Sequence, residues 1–339
     1  MSINYIINFY IAKILPLISF LLFIYQLFCN YYFYSNIDTL KNNNIHLITR
    51  YIYIIFYLMA LFSFIMTYIT EPGYVTQENN QQYIYLYQKT RKYSLNRAEI
   101  YNQNHINNSK NQEDDDDDNY DLFTDGLSSD DEKIFKESND QKKFYINCKK
   151  YKNLLNFDVK QCRQCFIIKV CGTMHCSVCH KCVYMKDHHC IWFNQCIGQF
   201  NLKYYILFLL YLLLCSYISL IKNLYYIICK NYIKIITEYS FIKKISLFSF
   251  NIFDIIYVII SIKLLYDQYT NLDDFSIMYD YKRKKIIEIR TKYEMLCEDF
   301  GGKFGIAWFF PFKAGGYYEL IKKEKYFNTG INGNKIKKN

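Results

Sequence analysis

The stretch that decides the fold, residues 162–196, reads CRQCFIIKVCGTMHCSVCHKCVYMKDHHCIWFNQC. It holds eight of the 13 cysteines of the 339-residue chain and four of its six histidines. Cysteines two residues apart can place two sulfur atoms on one tetrahedral metal, and mixed thiolate and imidazole donors suit Zn²⁺. A secreted disulfide scaffold would spread its cysteines more evenly over a shorter chain. The stretch therefore predicts a zinc-stabilised module.

A count of ligands leaves a surplus beyond the metals. Two zinc sites that each take three Cys and one His leave two of the eight Cys and two of the four His without a structural role. Cys171 and His180 lie outside the tight pairs, and we interpret them as incidental. His188 and Cys190 then remain, beside Asp187. Asp, His and Cys are the components of an activated thiol, in which the carboxylate orients the imidazole and the imidazole takes the thiol proton.

Four apolar segments predict membrane-spanning helices. Each is 18 to 20 residues long, and only the last contains a charged residue, Asp254. A bilayer core requires about 17 to 20 apolar residues in a helix, whereas the core helices of soluble proteins are usually shorter and show a polar face. The segments are 14–33, 51–70, 204–221 and 245–262. The sequence therefore predicts an all-α polytopic membrane protein with four transmembrane helices, and large core helices of a soluble protein are the alternative.

The charge of the chain favours a membrane surface over a nucleic acid as its partner. The formal net charge is +10, but the cysteine-rich stretch has a modest charge and shows no basic face of the kind that binds nucleic acid. Lysines flank several of the predicted spans, so the positive-inside rule is ambiguous. Thiols kept for metal binding or catalysis belong on the reducing side of a membrane, so we expect both termini and the cysteine-rich loop to be cytosolic.

These observations divide the chain into five parts. Residues 1–76 hold the first two helices, and 77–150 are an acidic, Asn-rich insert that is predicted to be disordered. Residues 151–203 form the cysteine-rich domain, 204–266 hold the third and fourth helices, and 267–339 form a cytosolic tail. The prediction is a multi-pass protein of an endomembrane (Golgi or endoplasmic reticulum) or of the plasma membrane, in contact with membrane lipid.

Asp187-His188-His189-Cys190 resembles the signature of the DHHC family of membrane protein S-acyltransferases, also called palmitoyltransferases. The resemblance extends from Cys162 to Asn201, and the order of spans and cysteine-rich loop is also similar. Weaker matches flank it, namely Glu71-Pro72-Gly73, Thr270-Asn271-Leu272-Asp273, and Phe300-Gly301 with Trp308 and Pro311. Two departures stand near the reactive cysteine: Ile191 replaces a proline, and Lys169-Val170-Cys171-Gly172 replaces a Lys-Pro-x-Arg stretch.

The resemblance implies two structural Zn²⁺ ions, a catalytic set and a substrate class. One zinc would be held by Cys162, Cys165, His175 and Cys182, and the other by Cys176, Cys179, His189 and Cys196. Cys190 would take a long-chain acyl group, palmitoyl in particular, from acyl-CoA as a thioester. It would pass that group to a cysteine of a cytosol-facing, membrane-associated target protein, with His188 as general base and Asp187 fixing its tautomer.

Other functions remain open at this stage. A catalytically weak, zinc-stabilised membrane scaffold or recruitment protein would keep the same fold, and the two departures near Cys190 motivate this alternative. A membrane-bound ubiquitin ligase or a nucleic-acid zinc module is disfavoured. Ligase zinc loops use other ligand spacings, and neither class gives the Asp-His-His-Cys run a task.

Overall fold

The computed structural model describes residues 14–26, 28, 44–90, 100, 103, 160–170, 172–229, 241–274, 277–280 and 285–312. The described part is mostly helical. Its helices are α1 (Ile14–Gln26), α2 (Asn44–Ile69), α3 (Asn80–Thr90), α4 (Leu202–Cys229), α5 (Phe241–Asp274), α6 (Lys292–Phe300) and a 3₁₀ turn at Ile306–Phe309. The short strands are β1 (Tyr74–Val75), β2 (Lys160–Cys162), β3 (Ile167–Lys169), β4 (Met174–Cys176), β5 (Lys181–Val183), β6 (His189–Cys190), β7 (Gln195–Cys196), β8 (Ile277–Asp280) and β9 (Lys285–Ile289).

The long helices pack on one another through aromatic side chains. Helix α4 lies between α2 and α5 and contacts both. The ring of Phe23 in α1 stacks on Tyr57 in α2 with centroids 4.3 Å apart, and the Tyr57 hydroxyl donates to the Phe23 carbonyl at 2.9 Å. Leu207 and Tyr211 of α4 complete the same buried cluster. The apolar side chains of these helices thus form a continuous buried core between them.

Two of the predicted spans lie in helices that are long and apolar enough to cross a membrane. Within the described residues these segments are Leu47–Ile69 and Leu202–Tyr225. Helix α1 is apolar but shorter, with 13 described residues. Helix α5 contains the fourth predicted span but does not meet the same criterion of length and composition. The presence of two such helices agrees with the prediction, and the four-span arrangement stays a prediction.

The cysteine-rich segment folds as three consecutive hairpins of the same register. In β2–β3, Cys162 pairs with Ile167; in β4–β5, Cys176 pairs with Lys181; in β6–β7, Cys190 pairs with Gln195. Each hairpin turns through a non-glycine residue with positive φ, namely Phe166, His180 and Asn194, at 52°, 52° and 49°. Equivalent residues therefore recur every 14 positions, a short repeat that the cysteine spacing alone did not reveal.

The structure differs from the sequence-based expectation at the beginning of the acidic insert. Helix α3 lies inside the 77–150 stretch, and its Tyr83, Ile84 and Tyr87 are buried against Cys162 and Ile168 of the first hairpin. Residues three and four apart on a helix share a face, so Tyr87 lies beside both Tyr83 and Ile84, and this face is apolar although the rest of the helix is polar. The short amphipathic face was hidden by the polar composition around it. Residues 104–159 lie outside the described part of the chain.

The hairpins are fastened to the ends of α2 and α4 through Asn201, which is fully buried. Its side-chain amide donates to the Cys196 carbonyl at 3.0 Å and to the Thr70 carbonyl at 3.4 Å, and its oxygen accepts from the Gly198 N–H at 2.9 Å. Strand β1, which follows Glu71-Pro72-Gly73, pairs with β5. The chain that leaves α2 and the chain that enters α4 are therefore held on the same module.

The replacement Gly198→Ala should loosen this junction. A Cβ atom at Gly198 would lie 2.7 Å from the Pro72 carbonyl oxygen and 2.8 Å from Cγ1 of Val183, so the backbone would have to shift. We expect a loss of about 1–3 kcal/mol in the free energy of unfolding, measured by denaturation of the full chain in detergent. Gly305→Ala is the matched control, because the nearest atom to its Cβ would be 3.9 Å away. Equal losses in both variants would contradict the close approach.

Candidate active site and metal clusters

Two clusters of sulfur and nitrogen donors lie in the hairpin module. Cys162, Cys165, His175 and Cys182 form the first cluster, with all four donor atoms within 4.8 Å of one another. The Nδ1 atom of His175 is 3.6, 3.3 and 3.8 Å from the three sulfur atoms, in chain order. These four residues are the set that the family resemblance implies for one zinc ion.

The second cluster repeats this geometry one hairpin later. It consists of Cys176, Cys179, His189 and Cys196, again within 4.8 Å of one another. The Nδ1 atom of His189 is 3.6, 3.3 and 3.8 Å from the sulfur atoms of these cysteines, in chain order. The Cys179 and Cys196 sulfur atoms are 3.6 Å apart. This second group is the set implied for the other ion.

These distances fit the edges of a tetrahedron around a metal. With metal–sulfur bonds of about 2.3 Å and metal–nitrogen bonds of about 2.1 Å, the edges of a tetrahedral site are about 3.6 to 3.8 Å long. The observed spacings of 3.3 to 3.8 Å leave room for one ion in each cluster. The nine cysteines whose side chains the structure describes are all free thiols. Both clusters could therefore hold a metal ion, and three thiolates with one imidazole are a set that zinc prefers.

The third hairpin has the same register, but it contributes no pair of sulfur atoms at its turn. Cys190 occupies the place that Cys162 and Cys176 occupy in the first two hairpins. Three residues later stands Phe193 in place of a second cysteine, and Phe193 is buried. Cys190 is therefore a thiol at a metal-knuckle position that belongs to neither cluster.

His188 lies between Asp187 and Cys190. Its Nδ1 atom is 3.0 Å from Oδ2 of Asp187, and its side chain also hydrogen-bonds to Cys190. Burial lowers the pKa of His188, but the hydrogen bonds to Asp187 and Cys190 outweigh burial and raise the pKa to about 9. The predicted catalytic residues are thus brought together in one hydrogen-bonded row, in the order carboxylate, imidazole, thiol.

Two side chains that the sequence did not single out hold Asp187 from the other side. Gln268 donates from Nε2 to Asp187 Oδ2 at 2.6 Å, and Asn271 donates from Nδ2 to Asp187 Oδ1 at 3.0 Å. Both residues belong to the last turns of α5, more than 80 residues further along the chain. Asn271 was quoted as part of a flanking motif without a role, and no sequence signal marked Gln268.

Cys190 packs against apolar side chains of the helices and of its own hairpin. It is 5% exposed and packs with Phe64, Phe193, Tyr205 and Leu209. The hairpin that carries it is tied to the end of α2, because Gln195 donates to the carbonyls of Thr67 and Tyr68, the latter at 3.0 Å. The thiol therefore lies where the hairpin module meets the apolar helices.

His180 and Ile191, which were also discussed from the sequence, take no part in this row. His180 is exposed at the turn of the second hairpin, and Cys171 lies outside the described residues. Ile191, which stands where the family has proline, is 54% exposed at the third turn. The C-terminal segment is anchored beside the site, since the buried Lys203 donates to the Ala307 carbonyl at 2.9 Å and Gln199 donates to Asp299 at 3.1 Å.

A hairpin module with two four-donor clusters presents a Cys–His–Asp row beside long apolar helices, and this arrangement fits a class of thiol-based membrane proteins. Comparison with known proteins agrees with this class, because residues 156–284 match the family described as DHHC palmitoyltransferase. The resemblance drawn from the sequence is thereby confirmed over residues 156–284, which match the model of that family.

Curated relatives are similar over the same region. Palmitoyltransferase ZDHHC2 of Mus musculus is 41% identical over 78 residues, which are 23% of this chain and 21% of the relative. ZDHHC3-A of Danio rerio is 43% identical over 68 residues (20% and 22% of the two chains). SWF1 of Saccharomyces cerevisiae is 45% identical over 60 residues (18% of each). The similarity thus covers about a fifth of the length of these relatives.

Replacing one ligand of one cluster should remove the metal ion of that cluster and leave the ion of the other cluster in place. We expect two tightly bound metal ions per chain in the wild type, and about one in Cys162→Ser, because the remaining three donors of the first cluster hold a metal far more weakly. Inductively coupled plasma mass spectrometry of the full chain in detergent measures the ratio. Cys297→Ser is the control, since this half-buried cysteine belongs to neither cluster, and its ratio should stay at two. An unchanged ratio in Cys162→Ser would contradict the ligand assignment.

Proposed function

We propose that the chain is a protein S-acyltransferase that moves a long-chain acyl group, palmitoyl in particular, from acyl-CoA to a cysteine of a target protein. The observation that carries the proposal is the row formed by Asp187, His188 and Cys190 at the boundary between the hairpin module and the apolar helices. An activated thiol requires a base in contact with it and a group that orients the base, and the row supplies both. The family named at residues 156–284 supports the same chemistry.

The first half of the reaction forms an acyl-enzyme. His188 takes the proton of the Cys190 thiol, and the thiolate attacks the carbonyl carbon of the acyl-CoA thioester. The carbon–sulfur bond to CoA breaks, and the CoA thiolate takes the proton from the His188 imidazolium. Because Nδ1 of His188 faces Asp187, the other ring nitrogen remains for this proton transfer. The hydrogen bonds that raise the pKa of His188 to about 9 favour the imidazolium that this step creates.

The second half transfers the acyl group to the target. His188 takes a proton from the thiol of the target cysteine, whose sulfur then attacks the thioester on Cys190. The Cys190 sulfur leaves and regains its proton from His188, so the site returns to its original state. Phe64, Phe193 and Leu209 around Cys190 would shield the thioester from water and contact the apolar chain.

The two donor clusters are proposed to hold structural Zn²⁺. Four protein ligands close the coordination sphere of each ion, so the ions would fix the hairpins and leave no open position for substrate. The residues that would hold them are the two sets described above. Their part in the reaction is positional, because His189, a member of the second set, directly precedes Cys190 and directly follows His188.

A membrane arrangement follows from the same geometry. We propose that α1, α2, α4 and α5 all span the membrane, since α1 and α5 pack with the two helices that are long and apolar enough to do so. With an even number of spans, both termini would lie on the side of the hairpin module, and thiols kept for metal binding or catalysis support a cytosolic position for that side. The partners are then membrane lipid, acyl-CoA and cytosol-facing membrane-associated proteins that offer a cysteine. The compartment is an endomembrane or the plasma membrane.

Acyl labelling tests the intermediate. Wild-type protein incubated with a palmitoyl-CoA analogue should acquire a label that hydroxylamine removes, because a thioester is cleaved under these conditions. Cys190→Ala should acquire none, while Cys297→Ala should label like the wild type, since Cys297 lies outside the row. The metal content of Cys190→Ala should remain at two ions per chain, which shows that the variant is folded.

Other outcomes would contradict the proposal. Equal labelling of wild type and Cys190→Ala would place the acyl group elsewhere. A wild-type protein that holds two metal ions but takes no label would favour the zinc-stabilised scaffold or recruitment protein.

Removing the side chains of Gln268 and Asn271, which donate hydrogen bonds to Asp187, should lower the rate of acylation and leave substrate binding unchanged. Removing the amide of Gln268 or of Asn271 deletes a hydrogen bond to a charged group, worth about 1.5–3 kcal/mol. We expect about a 10-fold or larger fall in kcat for self-acylation in Gln268→Ala and in Asn271→Ala, with KM for acyl-CoA unchanged. Tyr266→Ala, exposed on the same helix, should keep the wild-type kcat. A rise in KM alone would show that these residues bind substrate instead of positioning Asp187.

A further inference from the structure

A second buried polar site lies between the long helices, well away from Cys190. It consists of Gln26 of α1, Ser216 and Ser219 of α4, and Asp254 of α5, and we call it the Asp254 cluster. The first of these residues is 2% exposed and the other three are fully buried. Ser216 is 14 residues from the beginning of α4, or about 21 Å along the helix. The cluster is therefore separate from the Cys–His–Asp row and does not depend on the proposed transfer reaction.

The cluster is held together by hydrogen bonds from three helices. The Gln26 amide nitrogen donates to Oδ1 of Asp254 and to the Ser216 hydroxyl, the latter at 3.3 Å. The hydroxyls of Ser216 and Ser219 also hydrogen-bond to the carboxylate. A carboxylate within an apolar helix pair is costly, so such residues usually carry a function or a specific partner.

Two acceptor oxygens of the cluster remain without a partner within the described residues. They are Oδ2 of Asp254 and Oε1 of Gln26, and both are inaccessible to solvent. Buried acceptors are almost always satisfied, and each exception requires an explanation. Because both vacant positions are acceptors, the missing partner must be electron-poor: a proton on the carboxylate, a hydrogen-bond donor or a metal cation.

The chemistry of the ligands favours a monovalent metal cation. All the available atoms are carboxylate, amide or hydroxyl oxygens, which are hard donors that suit alkali and alkaline-earth cations. Asp254 supplies a single negative charge, so a monovalent ion would neutralise the site, whereas a divalent ion would leave a buried positive charge. The cationic side chain nearest to the cluster along α4 is that of Lys222, one turn beyond Ser219. Its ammonium group lies over the ring of Tyr53, 5.3 Å from the centroid.

We propose that the Asp254 cluster binds one monovalent metal cation, with Na⁺ the best match to its oxygen ligands. The bound ion would bridge Oδ2 of Asp254 and Oε1 of Gln26 and so join α1 to α5. The hydroxyls of Ser216 and Ser219 would remain on the carboxylate and hold α4 against the pair. Such an ion would stabilise the helix assembly and would take no part in acyl transfer.

Thermal unfolding of the full chain in detergent tests the proposal. Intrinsic fluorescence would follow Tm while NaCl replaces choline chloride at constant ionic strength, with the metal content of the hairpin module kept constant. We expect Na⁺ to raise Tm saturably, by at least about 3 °C, because a ligand that binds only the folded state stabilises it. KCl should raise Tm less. Equal Tm values in NaCl and choline chloride would overturn the proposal, including the case in which Lys222 supplies the positive charge.

Direct binding with matched variants makes the test specific. Equilibrium binding of ²²Na⁺ should give about one ion per wild-type chain and none in Asp254→Asn, which keeps the size of the side chain but removes its charge. Ser261→Ala is the control, because Ser261 is also fully buried in α5 but lies outside the cluster, and it should bind like the wild type. If Asp254→Asn fails to fold, Ser219→Ala should still show several-fold weaker ²²Na⁺ binding. Undiminished binding in both cluster variants would place the ion elsewhere and overturn the assignment.

Discussion

The structure depends on how two donor clusters share three hairpins. Neighbouring residues of a strand point to opposite faces, so His175 and Cys176 of β4 enter different clusters. Residues that pair across a hairpin point to the same face, so Cys182 joins His175, and Cys196 joins His189. Each cluster thus takes two sulfur atoms from the turn of one hairpin and a Cys–His pair from the next. A bound metal therefore fixes the orientation of each hairpin relative to the one before it.

The same rule explains why Cys190 is left as a free thiol. Its place in the third hairpin is that of a metal-knuckle cysteine, but two conditions for a third site fail. Phe193 replaces the second cysteine of the turn, and the chain passes from the third hairpin directly into α4 at Leu202, so no adjacent hairpin supplies a His–Cys pair. The third hairpin is still held rigidly, because His189 and Cys196 belong to the second cluster. A thiol that is positioned by neighbouring metal ligands but does not belong to a metal site remains available as a nucleophile. In the run from Asp187 to Cys190, His188 also belongs to neither cluster, and it hydrogen-bonds to this thiol.

Much of this site could be predicted from the sequence because its residues are close together in the chain. The cysteine spacing indicates two four-ligand clusters, and the surplus of Cys and His isolates the row at 187–190. Contacts between residues that are far apart in the chain could not be predicted from the sequence in this way. Gln268 meets Asp187 only because α5 passes the third hairpin, and a single glutamine in a polar helix end has no distinctive pattern. Helix α3 was missed for a related reason, since its short apolar face becomes visible only when the first hairpin covers Tyr83 and Tyr87.

Helix α5 connects the carboxylates of Asp187 and Asp254. It supplies Gln268 and Asn271 to Asp187, and 14 residues before Gln268 it carries Asp254 itself, about 21 Å away along the helix. The two carboxylates differ in how fully they are satisfied: both oxygens of Asp187 accept hydrogen bonds, whereas Oδ2 of Asp254 has no partner within the described residues. A helix moves along its axis nearly as a rigid body, so the packing of α5 at Asp254 also sets the position of its two amides at Asp187. The geometry of the Cys–His–Asp row is therefore fixed from two directions, by the hairpins through His189 and by the helix assembly through α5.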